Sequence, residues 1–289
     1  MNIVLSCDKL SKKYGRTYAL RDLDLQLEEN VIYGLLGRNG AGKTTLLNII
    51  AGGLFMSDGS IKVCGKKLNK GTSPENFCFV RENNKLFRGA RLIEILQLAA
   101  NFYPDWDWTF AHKLIQTFEL DPKQKIKHLS KGNESLVGNI IGLSSRSALT
   151  LFDEPLLGLD VLMRERFYKA LLEDYAIHPR TILLSTHLID EISPIAERIY
   201  IIDKGSILLH DEMNQIRMSA HLIRGNLEAV TEFTKGKKVL HTESYGHGIL
   251  AAIYEKLTDE DRMKARKLDI TIENLTLQRF FSYLIEGGS

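Results

Sequence analysis

Val31-Ile32-Tyr33-Gly34-Leu35-Leu36-Gly37-Arg38-Asn39-Gly40-Ala41-Gly42-Lys43-Thr44 decides the architecture of this chain. The stretch opens on a continuous apolar run, the pattern of a strand buried on both faces. Gly37, Gly40 and Gly42 then let the backbone curl so that its N–H groups point inward. After them Leu46, Leu47, Ile49 and Ile50 suit a buried helix from Thr44, closed by Gly52-Gly53. Strand, glycine loop and helix in that order form an anion cradle, to which the helix adds its positive N-terminus. Lys43 brings a point charge for β- and γ-phosphates, and the Thr44 hydroxyl is placed to bind Mg²⁺.

A second signal is Leu149-Thr150-Leu151-Phe152-Asp153-Glu154, an apolar strand ending in two acids. In an open α/β sheet ligands bind at the carboxyl edge, and this pattern puts both carboxylates there. Asp153 is expected to hold Mg²⁺ through water, and Glu154 to polarise an attacking water.

Around these motifs β and α patterns alternate. Short strands are expected at Ile3 to Leu5, at Leu23, Leu25 and Leu27, at Gly59 to Gly65, at Asn76 to Val80, at Thr181 to Leu184 and at Ile199 to Ile202. Leu92 to about Ile126 reads as helical, broken at Pro104-Asp105-Trp106-Asp107; further helices are expected at Arg164 to Tyr175 and Ile189 to Ala196. The fold class is therefore α/β, a sheet with helices on both faces and an inserted helical block. Ser206 to His210 reads as a last strand. Beyond it the chain is more polar, with strands at Val239 to Glu243 and Gly248 to Tyr254 and a terminal helix from Leu277 to Ile285. The expected division is a nucleotide-binding domain over residues 1–212 and a small α+β accessory domain over 213–289.

Composition excludes other classes. Of 289 residues 44% are hydrophobic, enough for a large core, which argues against a disordered chain. The formal net charge of +2 gives no reason to expect a nucleic-acid partner. Cys7, Cys64 and Cys78 are widely spaced, form no CxxC and sit with no histidine cluster, so they are read as buried small hydrophobes in a reducing, cytosolic compartment. Asp8, Lys9, Lys12 and Lys13 interrupt any leader, and no apolar run reaches the ~20 residues of a membrane span.

Two further features select a family. Leu129-Ser130-Lys131-Gly132-Asn133 stands before the acid strand, and Ser185-Thr186-His187 ends the next one. With Asp153-Glu154-Pro155-Leu156-Leu157-Gly158-Leu159-Asp160, their order and spacing resemble the ATP-binding-cassette (ABC) ATPases over about residues 1–210. The resemblance implies a P-loop NTPase core with antiparallel β and helical subdomains, ATP and Mg²⁺ as ligands, and ATP hydrolysis coupled to transport. It further implies that Tyr14 stacks on adenine, that Gly37, Asn39, Gly40, Ala41, Gly42, Lys43, Thr44 and Thr45 bind phosphate, and that His187 joins Lys43 and Glu154 in catalysis. Ser130 and Gly132 would complete the site of an opposing nucleotide-binding subunit, with a helix beginning near Glu134 as part of that cradle, and Asp160 lies on the loop facing that subunit. The implied partners are a second such subunit, identical or not, and a separate integral membrane permease, with the chain peripheral on the cytoplasmic face. Pro104-Asp105-Trp106-Asp107 and the variant signature are similar to a bacterial branch encoded near GntR-type regulators, with proposed roles in acetoin uptake or cell-envelope stress.

The chain departs from the family pattern at four positions. The usual signature is Leu-Ser-Gly-Gly-Gln; here Lys131 and Asn133 replace a glycine and the glutamine, and Glu134 adds negative charge. Glu82, in Phe79-Val80-Arg81-Glu82-Asn83, takes the slot of a metal-contacting glutamine, and as a carboxylate it can still ligate Mg²⁺. These departures keep open an alternative: a soluble regulatory or sensing ATPase with weak or no hydrolysis.

Overall fold

The inward-facing leucines near the start belong to a longer hairpin than their spacing predicts. In the computed structural model, which describes residues 2–69, 72–82, 87–246 and 248–287, β1 (Ile3–Tyr14) pairs antiparallel with β2 (Thr17–Glu28), Leu5 opposite Leu27 and Leu10 opposite Leu23. The alternation of β1 is hidden in the sequence because the register shifts between Cys7 and Leu10, where Lys9 has a φ of 45°. Such a bulge adds a residue and breaks the two-residue period.

The buried run becomes β3 (Ile32–Leu36), and the helix after the glycine loop is α1 (Lys43–Ile50). Then come β4 (Asp58–Val63), β5 (Lys66–Lys67) and β6 (Phe77–Val80). Of the quoted stretch around Glu82, Asn83 lies outside the described residues. The helical block follows as α2 (Leu92–Ala100), α3 (Trp108–Thr117) and α4 (Lys131–Ser144). β7 (Leu149–Asp153), α5 (Val161–Ile177) and β8 (Thr181–Thr186) restore the alternation. α6 (Ile189–Ile192) is a single turn, shorter than the expected Ile189 to Ala196. Pro194 explains this, since proline has no backbone N–H with which to continue the helical hydrogen bonds. β9 (Arg198–Asp203) and β10 (Ser206–Glu212) follow.

Among the described residues the strands form three sheets. One is four-stranded, in the order β2-β1-β4-β5, and one six-stranded, in the order β10-β9-β3-β8-β7-β6. In the second, β3, β6, β7, β8 and β9 are joined by parallel pairings, with β3 between β8 and β9. β3, β7 and β8 are buried along their whole length. Leu46, Leu47 and Ile50 of α1 pack into one core with the hairpin leucines and with Leu151, Leu183 and Ile202. The glycine loop is thereby held at the carboxyl edge by apolar packing from both sheets. Among the described residues no helix is long and apolar enough to cross a membrane.

The chain divides into two compact units, the first comprising Met1–His187 and Arg198–Leu209, the second Leu188–Glu197 and His210–Ser289. Leu188–Glu197 thus belongs to the second unit although it lies within the span expected for the nucleotide-binding domain. After α7 (Met213–Ser219) the second unit runs β11 (Ala220–Gly225), α8 (Leu227–Thr234), β12 (Val239–Tyr245), β13 (Gly248–Tyr254), α9 (Asp259–Lys267) and β14 (Thr271–Asn274). This is a βαββαβ unit with sheet order β12-β13-β11-β14, the ferredoxin-like arrangement. Ile223, Val230, Phe233, Ala251, Ile253 and Ala265 form its core. A terminal helix, α10 (Leu277–Gly287), buries Leu277, Phe280, Phe281, Tyr283 and Ile285 and packs on β12 and on α6.

In the first unit the Pro104-Asp105-Trp106-Asp107 break has a structural role. Asp107 caps α3 by accepting from the Phe110 N–H at 2.8 Å, and its other oxygen accepts from Arg146. Arg146 also donates to Asp174 of α5, which accepts from Arg180 at 2.8 Å. Asp174 and Arg180 are 3% and 6% exposed at their side chains, so little water reaches either. Asp174→Ala would strand the buried Arg180 guanidinium and leave Arg146 with Asp107 alone, and breaking such a buried pair costs about 3–5 kcal/mol. Calorimetry of this variant should show a melting point lower by roughly 10 °C. A change of less than about 3 °C would mean that water replaces the carboxylate.

Candidate functional site

The loop is shaped by contacts that exclude side chains. Gly42 has a φ of 110°, and a Cβ there would meet the Ala19 carbonyl oxygen at 2.7 Å and Leu20 at 2.8 Å. The residue must be glycine on both grounds. It is also the N-cap of α1, and neither a side-chain cap nor an acidic residue in the first turn occupies that helix end. By contrast α3, α4, α5, α8 and α9 are each capped by a side chain. The amides at the start of α1 and its positive dipole end are thus left for an anion.

A cavity of about 390 Å³ opens here, lined by Ala19, Arg38, Asn39, Gly40, Gly42, Lys43, Thr44, Thr45, Glu82, Glu154, Leu157 and His187. Lys43 and Glu154 are 6% and 7% exposed and face each other at 3.3 Å between Nζ and Oε1. The ammonium also donates to the Gly37 carbonyl at 2.7 Å. Glu154 Oε2 accepts from His187 Nδ1 at 2.9 Å. Because a carboxylate only accepts, Nδ1 carries the proton of this bond. Glu154 has a φ of 50°, an uncommon value for a residue with a Cβ. Its backbone N–H donates to the Ser185 carbonyl at 3.1 Å, and the Leu157 N–H donates back to its carbonyl at 3.1 Å. The strained turn fixes the direction of the carboxylate before any ligand arrives.

Asp153, at the end of β7, is 2% exposed. Its Oδ1 accepts from Ser185 Oγ at 2.6 Å and from Thr44 Oγ1 at 3.2 Å. Burial pushes its carboxyl above the ordinary carboxylate value, more than the hydroxyls of Ser185 and Thr44 lower it, and the neighbouring Glu154 adds to the rise. A buried carboxylate beside the Thr44 hydroxyl is an oxygen donor set suited to a hard, oxygen-seeking cation. Glu82 adds a further carboxylate to the cavity wall.

Several expected residues lie elsewhere. Gly37 and Ala41 are buried supports of the loop: a Cβ on Gly37 would meet the Ile202 carbonyl oxygen at 2.6 Å. Tyr14 ends β1, half exposed, with Lys12 Nζ 4.8 Å from its ring centre; it is not part of the cavity wall. Ser130 and Gly132 do not line the cavity either. Ser130 is the N-cap of α4, its Oγ accepting from the Asn133 N–H at 3.1 Å. The helix therefore begins at Lys131 and not near Glu134, because the serine supplies the cap. This places Glu134 in the first turn, where its charge suits the helix dipole. Gly132 packs on the turn after Glu154, and a Cβ on it would meet the Gly158 carbonyl oxygen at 2.5 Å. Asp160 caps α5, accepting from the Met163 N–H at 2.9 Å.

Sequence reasoning assigned no role to Ser185, although its hydroxyl ties Asp153 to β8. The signal is that it directly follows the apolar run Ile182-Leu183-Leu184 at the carboxyl end of β8, two residues before the histidine. A larger hollow of about 730 Å³ is lined by Asp105, Trp106, Trp108, Arg146, His178 and Arg180, among others. Arg146 and Arg180 precede β7 and β8, so this hollow lies at the amino edge of the sheet, away from the glycine loop.

Comparison with known proteins agrees with this geometry. The ABC transporter family model matches residues 20–157. The chain is 27% identical over 210 residues to the ABC transporter ATP-binding protein YtrB of Bacillus subtilis, covering 72% of each. It is 31% identical over 206 residues to the taurine import ATP-binding protein TauB of Shigella flexneri, covering 70% of this chain and 80% of TauB. A solved ATP-binding subunit of an ABC transporter superposes with a TM-score of 0.66 at 27% identity, covering 74% of this chain and 92% of that one.

Proposed function

The chain belongs to the ABC transporter family as one of its ATP-binding, ATP-hydrolysing subunits, and from that premise we propose how its residues divide the work. The observation that carries the reading is the line Lys43–Glu154–His187 along the cavity at the glycine loop, its first two members buried and the histidine open to the cavity. The amides of the loop and of α1 hold the phosphates, and Lys43 leaves the Gly37 carbonyl to neutralise their β and γ oxygens. Glu154 takes a proton from water as that water attacks the γ-phosphorus, and ADP departs as phosphate forms. His187 holds Glu154 through Nδ1 and turns its other ring nitrogen toward the γ-phosphate. Tyr14 supplies an aromatic face for adenine from the hairpin tip.

Thr44, Asp153 and Glu82 are the groups proposed to hold Mg²⁺, which supplies charge neutralisation on the phosphate oxygens. Ser185 orients Asp153 for that task. Ser130 and Gly132, outside their own chain's cavity, are proposed to face the nucleotide of a second subunit across a head-to-tail dimer. Loss of the γ-phosphate would then loosen a clamp built from two half-sites and move the attached membrane chain. The chain works on the cytoplasmic face beside a separate permease. No observation favours the soluble sensing alternative.

The test is recovery from detergent-solubilised native membranes on the immobilised chain. A multi-span protein should be retained and should raise the ATP turnover of the chain. Retention of soluble proteins only, with turnover unchanged by membrane extract, would overturn the transporter reading in favour of the sensing one.

A further inference from the structure

The turn that follows Glu154 meets one face of α4. Gly132, Ser135 and Asn139 are spaced three and four residues apart, so they share a side of that helix. In reverse order they meet three carbonyls of the turn. A Cβ on Gly132 would come within 2.5 Å of the Gly158 oxygen. Ser135 Oγ donates to the Leu157 oxygen at 3.4 Å, and Asn139 Nδ2 donates to the Pro155 oxygen at 2.8 Å.

Asn139 stands where burial alone favours an apolar residue. It is 0% exposed, and Leu136, Val137, Ile140 and Leu143 of the same helix are buried as fully. A carbonyl only accepts, so Nδ2 is the atom that faces Pro155 and Oδ1 is turned away from it. Among the described residues Oδ1 has no hydrogen-bond partner. A buried polar atom without a match is costly, and an aliphatic side chain of like volume would avoid that cost. Sequences break such a rule chiefly where function requires it.

The amide holds backbone beside the general base. Glu154 has a φ of 50°, and strained backbone persists only where its surroundings over-determine it. On the β8 side its N–H is directed at the Ser185 carbonyl, at 3.1 Å, and at the Ser185 hydroxyl, at 3.3 Å. Next in the chain is Pro155, which has no N–H, so its carbonyl is the one backbone polar group by which it can be tied. Asn139 takes that carbonyl. Leu157, two residues on, lines the cavity with Glu154, whereas Asn139 is not part of the cavity wall.

We propose that Asn139 is a positioning residue for hydrolysis: its bond to the Pro155 carbonyl fixes the turn that aims the Glu154 carboxylate. It sets the rate without touching nucleotide. This rests on the reading of Glu154 as the base.

Asn139→Leu in the full chain tests it. Leucine is close in volume and suits a helix interior. The unmatched Oδ1 disappears as the Pro155 oxygen loses its donor, so the melting point should stay within about 3 °C. kcat should nevertheless fall about tenfold, since small displacements of a catalytic group are costly. KM for ATP and the affinity for a fluorescent ATP analogue should stay within about twofold, because the interaction lost acts in the transition state. Added to Glu154→Gln, Asn139→Leu should lower the residual turnover no further, as expected of two residues acting as one unit. Full kcat in Asn139→Leu overturns the proposal. So does a parallel loss of nucleotide affinity, or a penalty that persists without the Glu154 carboxylate. Should Asn139→Leu fail to fold, Asn139→Met decides, because its unbranched chain fills irregular space. Failure of both to fold would make Asn139 a purely structural residue and overturn the proposal as well. Full turnover in Glu154→Gln would instead overturn the assignment of the base itself.

Discussion

Glu154→Gln should reduce ATP turnover about 100- to 1000-fold while leaving ATP bound, the range expected when a general base is removed. The amide keeps the volume of the side chain, so the turn at its φ of 50° and the bond of its N–H to Ser185 are undisturbed. The oxygen facing His187 can still accept, so the histidine keeps its place. The lost property is the ability to take a proton from water. Charge works in the same direction for binding: a negative group is removed next to where the γ-phosphate must sit, and Lys43 is freed from its 3.3 Å ion pair. Affinity for ATP should therefore stay or rise, and ATP-loaded dimers should accumulate. Single-turnover hydrolysis and nucleotide retention on gel filtration measure the two halves. Unchanged turnover would remove Glu154 from the role of base and leave His187 without a partner to orient.

The same residues show what a sequence discloses. β3, β7 and β8 are read correctly because parallel strands covered on both faces must be continuously apolar. The glycine loop is legible for a related reason, since Gly42 answers a local backbone demand and a close approach from Ala19. Gly132 is different. Its need for glycine comes from the Gly158 carbonyl, a contact between segments far apart in sequence, and no local pattern announces it. The second unit is harder still. β14 reads Thr-Ile-Glu-Asn and β11 carries His221 and Arg224, so neither displays an apolar alternation. α9 buries only Ala265 and has no apolar stripe. Its signals are at its ends: the capping box of Thr258 and Asp261, acids in the first turn and bases in the last. β13 and α10 are legible because each buries a run or stripe of apolar residues, yet the topology that joins them depends on the weak elements between.

The departures from the family pattern fall into two groups. Asn133 and Glu134 sit in the first turn of α4, where the amide of one satisfies Ser130 and the charge of the other favours the helix end. They are compatible with the local helix whatever they do to an opposing subunit. Glu82 is on the wall of the nucleotide cavity with Glu154. Its carboxylate adds negative charge to that wall, so its effect should depend on the metal that accompanies ATP.

Lys43→Ala should abolish ATP binding at micromolar concentrations. The lysine is buried, and its three donors already have a geometry imposed by the loop: the Gly37 carbonyl at 2.7 Å, the Arg38 carbonyl at 3.5 Å and Glu154 at 3.3 Å. In the free protein it cancels the carboxylate, and in the loaded protein it would cancel phosphate oxygens. Removal therefore acts twice. The charge-assisted bonds to phosphate are lost, worth about 3 kcal/mol or on the order of a hundredfold in affinity. Glu154 is also left as an uncompensated buried anion facing the incoming phosphates, a further penalty of the kind that makes breaking a buried pair more costly than never forming it. Lys43→Ala with Glu154→Gln removes both members and should regain part of the affinity, because the repulsion disappears while the missing cation does not return. Isothermal titration of the three variants separates the two contributions. Micromolar affinity retained in Lys43→Ala would contradict the phosphate-loop assignment, and a double variant no better than the single one would mean that repulsion from Glu154 plays no part.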